Sequence, residues 1–86
     1  MKKVLDIGIP LRRGIDDALH CGEQIEKDLQ LRPRDAGCGF GFRDMQIPIG
    51  DKDEKKIVEE VKTILRKCHL IKGSYVSVYD EDEEVN

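Results

Sequence analysis

Residues 36–49 read Ala36-Gly37-Cys38-Gly39-Phe40-Gly41-Phe42-Arg43-Asp44-Met45-Gln46-Ile47-Pro48-Ile49, and whether this segment is one strand or two decides the fold. Cys38, Phe40 and Phe42 occupy even positions, whereas Met45, Ile47 and Ile49 occupy odd ones. In a strand the side chains alternate faces, so the apolar phase flips between Phe42 and Met45. A two-residue turn at Arg43-Asp44 reconciles the halves by pairing Phe42 with Met45, Phe40 with Ile47 and Cys38 with Ile49 on one buried face. Arg-Asp suits a tight hairpin poorly, because such turns want Asn or Gly at positive φ. A bulge, or a turn placed earlier among the glycines, restores the phase equally well.

On either side of this segment the periodicities are clear. Leu5, Ile7 and Ile9 alternate with Asp6 and Gly8 as in a strand with one buried face, and Pro10 stops it. Ile15, Ala18, Leu19, Gly22, Ile25 and Leu29 fall at steps of three and four, predicting a helix from about Arg13 to Gln30. Asp16 and Asp17 favour its N-terminal dipole, and Pro33 marks its end. A second apolar stripe, from Ile57 through Val58, Val61, Ile64 and Leu65 to Cys68, predicts a helix from about Lys52 to Lys67, with Asp51 and Glu54 spaced as a capping box. Gly73 then releases the chain into a last strand in which Val76 and Val78 face the core while Tyr75, Ser77 and Tyr79 face away. The order is β-α-β-β-α-β, so the expected class is α+β, a ferredoxin-like split β-α-β sandwich with two helices on one face of a four-stranded antiparallel sheet. The other face stays open and is expected to show Asp6, Arg43, Gln46, Tyr75 and Tyr79.

Eighty-six residues make a single domain with room for only a small core. We place it at residues 1–79, with an acidic tail at 80–86. The net charge is -3; residues 1–49 are balanced, and the five acids Asp80-Glu81-Asp82-Glu83-Glu84 alone set the sign. Such a field repels phosphate backbones and attracts basic proteins. No apolar run is long enough to span a bilayer, and the N-terminus does not read as a secretion signal. With three cysteines, an odd number that cannot all pair within one chain, a reducing cytoplasm is the expected setting and no membrane partner is expected.

Signs of chemistry are weak. His20-Cys21 and Cys68-His69, with Cys38 between, lack the close paired spacing of zinc ligands, so no metal and no cofactor is expected; helical phase makes Cys68 a core thiol and the histidines surface residues. Gly39-Phe40-Gly41-Phe42 matches four positions at the centre of the RNA-recognition-motif signature, in which strand aromatics stack on bases, but core phenylalanines are the favoured reading. Arg12-Arg13-Gly14, between the first strand and the first helix, offers a candidate anion site. It sits where acylphosphatases, which share this architecture, hold phosphate, yet the only asparagine in the chain is Asn86. Ser74 and Ser77 have no histidine nearby in sequence. We therefore expect no catalytic residues and no enzyme.

The layout resembles a family of small bacterial proteins of ferredoxin-like fold. The shared features are the amphipathic first helix, a glycine-rich stretch leading into a strand that ends in glycine (Gly37 to Gly50), an acidic start to the second helix and a closing Leu-x-x-Gly-Ser-Tyr-Val segment at Leu70 to Val76. Where members close with Arg-Tyr-Gly, this chain has Val78-Tyr79-Asp80 and the acids, so no functional residue carries over. In size and charge the chain is also similar to immunity proteins, which block a basic toxin. The leading expectation is a non-enzymatic cytoplasmic inhibitor of a basic protein partner, binding through Tyr75, Tyr79, Asp80, Glu81, Asp82, Glu83 and Glu84. The alternative is a small-ligand regulatory domain resembling ACT domains, which form homodimers through a sheet edge. A nucleic-acid binder using Phe40 and Phe42 comes third.

Overall fold

The computed structural model describes residues 3–81. Its elements run β1 (Lys3–Pro10), α1 (Ile15–Leu29), β2 (Asp35–Gly39), β3 (Phe42–Pro48), α2 (Glu54–Lys67) and β4 (Tyr75–Asp80). The strands form one sheet in the order β2-β3-β1-β4, with every neighbouring pair antiparallel. Each helix therefore carries the chain across a strand belonging to the other half, the split β-α-β arrangement of the ferredoxin-like fold.

Both helices pack on one face of the sheet. Leu5, Ile7 and Ile9 of β1 and Met45 and Ile47 of β3 are fully buried there, and Val76 and Val78 of β4 pack against them. From above, α1 contributes Ala18, Cys21 and Ile25, and α2 contributes Ile57, Val61, Ile64 and Leu65. Ile15, which the helical stripe assigns to the core, is half exposed: it is the first residue of α1, before the helix has come over the sheet.

The hairpin turn lies at Phe40-Gly41, not at Arg43-Asp44. Gly39 pairs with Phe42, and both turn residues have positive φ, 52° at Phe40 and 84° at Gly41, the conformation of a type I′ connection whose twist matches the strands. This single shift revises several pairings. Phe42 and Met45 fall on opposite faces, Cys38 lies opposite Arg43 rather than Ile49, and Arg43, in register with Ile9, belongs to the helix side while Asp44 takes the open face. Phe40 is no core residue, being fully exposed at 103 %.

The helix ends also differ in detail from expectation. The α2 cap is Asp53, whose side chain accepts from Lys55 N and Lys56 N at 3.1 and 3.3 Å, in place of Asp51. Its far end closes with His69 at φ 60° and a bond from Leu70 N to Leu65 O of 2.8 Å, so Leu70 turns back into the core. Among the described residues no helix is long and apolar enough to cross a membrane.

Candidate functional site

The uncovered face of the sheet is ordered in rows by the strand register. Asp35, Gln46, Asp6 and Ser77 form one row; Gly37, Asp44, Gly8 and Tyr75 form the next. Because Gly8 has no side chain, the Tyr75 ring lies flat over its backbone: a β-carbon built there would sit 2.1 Å from Tyr75 Cε2. The ring meets Phe42 edge to face, with centroids 5.6 Å apart, and its hydroxyl donates to Asp44 Oδ1 at 2.9 Å. Burial, then this bond to Asp44, pushes the Tyr75 phenol up to about 12.

Between Tyr75 and the β2-β3 turn the face is concave. A hollow of about 410 Å³ is lined by Asp6, Asp35, Asp44, Gln46, Tyr75 and Phe40, among others. The ion pairs among the described residues are Lys3 with Glu54, Arg13 with Asp17 and Arg34 with Glu81, so none of the three carboxylates of the hollow has a cationic partner there. Burial, and secondarily the charge of Asp44, raises the Asp6 carboxyl above its ordinary value. Ionised carboxylates only accept hydrogen bonds, so the lining of the hollow offers acceptors and negative charge. Phe40 stands at its rim on a left-handed backbone, a conformation uncommon for a bulky residue.

Tyr75 and Tyr79 both face the open side, as the alternation predicts, but they are held differently. The Tyr79 hydroxyl accepts from Arg34 Nη2 at 3.2 Å, and Arg34 Nη1 bonds Glu81. The first acids of the tail are thus part of the folded body: Asp80 ends β4 opposite Lys3, and Glu81 is paired with Arg34. Asp82, Glu83 and Glu84 lie outside the described residues.

Arg12 and Arg13 are turned to separate partners. The Arg12 guanidinium donates to Lys72 O at 3.0 Å and His69 O at 2.8 Å, tying the loop before α1 to the connection after α2, while Arg13 Nε lies 4.0 Å from Asp17. The core thiol is Cys21, fully buried on α1, whereas Cys68 is half-buried. Burial, followed by contact with Cys68, raises the Cys21 thiol to about 12. His20 and His69 are exposed, and among the described residues no group of three or more His, Cys, Asp or Glu side chains is placed to hold a metal.

Reading the sequence located Tyr75, Asp6 and Gln46 on this face but missed Asp35 and Asp44, because the misplaced turn assigned the position to Arg43. The signal was present in Gly41, which meets the positive-φ demand of a turn three residues earlier. No family model, curated protein or solved structure matches the chain.

Proposed function

We propose that this chain is a non-enzymatic cytoplasmic interaction protein whose open sheet face binds and inhibits a basic protein, in the manner of a toxin-immunity protein. The observation that carries the reading is the hollow itself: three carboxylates without a cation, set beside Tyr75 and an exposed Phe40. A partner's lysine or arginine entering it gains charge-assisted bonds to carboxylates that have no cationic partner among the described residues, and aromatic faces for cation–π contact. Phe40 adds a second argument. A fully exposed phenylalanine at positive φ is doubly unfavourable for the isolated chain, and such local strain concentrates at working surfaces. Asp80, with Tyr79, adds negative charge on β4 at the other edge of the sheet, and the acids that follow it in sequence carry the same sign.

The hollow falls in the size range of small-ligand sites, about 300–1,000 Å³, which favours a second reading as an ACT-like regulatory domain taking a small cationic ligand. Nucleic acid is disfavoured, since the carboxylates on this face repel phosphate.

The test is capture of partners from the native lysate by the tagged protein at low and moderate salt, alongside Asp6→Asn/Asp44→Asn and a chain with Ser at 80–84. One basic protein recovered stoichiometrically, and lost by the variants, supports inhibition. Equal recovery by all three proteins rejects this face and the tail as the site. Thermal stabilisation by a small cationic metabolite, with no protein recovered, moves the assignment to the ligand domain.

A further inference from the structure

The free edge of β2 opens directly onto the hollow. Among the described residues β2 is hydrogen-bonded to β3 alone, and its turn closes on the Gly39–Phe42 pair. Antiparallel alternation then directs the backbone groups of Gly37 toward β3 and those of Ala36 and Cys38 outward. Natural sheets blunt such an edge with lysine, proline or a covering element. Asp35–Gly39 carries neither residue, and both Ala36 and Cys38 are exposed on the helix side of the strand. On the open side, Gly37 and Gly39 leave a bare floor from the edge to Asp44, which lies opposite Gly37.

We infer that an extended basic peptide segment adds to β2 as a further strand, sending an arginine or lysine side chain across Gly37 to Asp44, Asp6 and Asp35 beside Tyr75. The inference rests on the binding role proposed above and names the form its partner takes. Adjacent strands lie about 4.8 Å apart, so the Asp44 backbone is about two strand spacings from the added chain, a gap that a long basic side chain and a carboxylate close between them. Main-chain pairing with Ala36 and Cys38 supplies affinity, and the acidic hollow supplies selection by charge. A second copy of this chain on the same edge would bring two acidic hollows together, so charge favours a basic segment over self-pairing.

The probe is a capped heptapeptide, Thr-Val-Thr-Arg-Thr-Val-Thr, followed by fluorescence anisotropy and amide exchange. It is compared with a citrulline version and with one N-methylated on the backbone groups that face β2. We expect the parent to bind, each modified peptide to bind about tenfold or more weakly, and the Ala36 and Cys38 amides to exchange about tenfold more slowly in the complex. Gly37→Val fills the floor on a strand position where a β-carbon meets nothing within 4 Å; it should fold normally, checked by its thermal midpoint, and lose the peptide. Salt-sensitive binding that is lost in Asp44→Asn but indifferent to N-methylation and to Gly37→Val overturns strand addition and leaves the face-binding role standing. No binding of the basic peptide at millimolar concentration overturns both. A dimer in which Ala36 and Cys38 are already protected without peptide gives the edge to a second copy and likewise overturns the inference.

Discussion

A methyl group at Gly8 and the Tyr75 ring cannot occupy the same space. Gly8→Ala should swing the ring off the sheet, costing about 1–2 kcal/mol in urea denaturation, and the same change in a Tyr75→Ala background should cost clearly less, because the clash has gone. The phenol offers a direct readout of this packing. Tyr79→Phe leaves Tyr75 as the one tyrosine, and its ultraviolet titration should have a midpoint near 12; adding Asp44→Asn should bring the midpoint down toward the ordinary value near 10. Since the folded chain keeps this proton at pH values where the unfolded chain has released it, Tyr75 contributes stability that is lost as pH rises from about 10 to about 12. Asp6 follows the same sign at the acid end. Its carboxyl is raised on folding, so its contribution is full below the ordinary aspartate value and is lost as pH rises through the raised one. Asp6→Asn should therefore stabilise the protein at pH 7 and leave it unchanged at pH 3.

The elements carry predictions of their own. Asp53→Ala removes the observed cap of α2 and should cost about 1 kcal/mol, whereas Asp51→Ala should stay within about 0.5 kcal/mol. Phe40→Asn places a residue that tolerates positive φ in the turn and should raise stability by about 0.5 kcal/mol or more. If Phe40 is a contact residue, the same change should weaken partner binding. The number, type and order of these elements were legible in the sequence, because periods of two and of three to four separate cleanly outside residues 36–49. Within that stretch the phase flip between Phe42 and Met45 suggests a turn where there is none: both lie on β3, with Phe42 on the open face. The usual Asn-Gly signal is half masked by Phe40, which leaves Gly41 as the one sequence mark of the pair that turns. The same ambiguity hid most of the hollow: Tyr75, Asp6 and Gln46 follow from alternation within one strand, Asp44 was lost to the turn expected at Arg43-Asp44, and Asp35 requires the register between β2 and β3. The core thiol was assigned to Cys68 from the stripe of the second helix, although a stripe through Ala18, Gly22 and Ile25 already turns position 21 inward, where Cys21 is fully buried.

At the scale of the molecule, apolar burial on one face and, on the other, carboxylates without a cationic partner among the described residues give the sheet two distinct surfaces. Association with a basic partner should therefore be fastest at low salt, and replacing residues 80–84 by Ser should slow it by roughly an order of magnitude, as stopped-flow mixing would register. The sheet order has a consequence for how this body comes into being. β1 is first along the chain yet lies inside the sheet, hydrogen-bonded to β3 on one side and β4 on the other. The β2-β3 hairpin needs only its own turn and forms locally; β1 must hold both flanks open until residues far downstream arrive, the last of them at Asp80 opposite Lys3. Closing loops that long before any ladder rewards them slows folding. During synthesis β1 thus waits for β3 on one flank and much longer for β4 on the other, and the six-residue β4 is what closes the second.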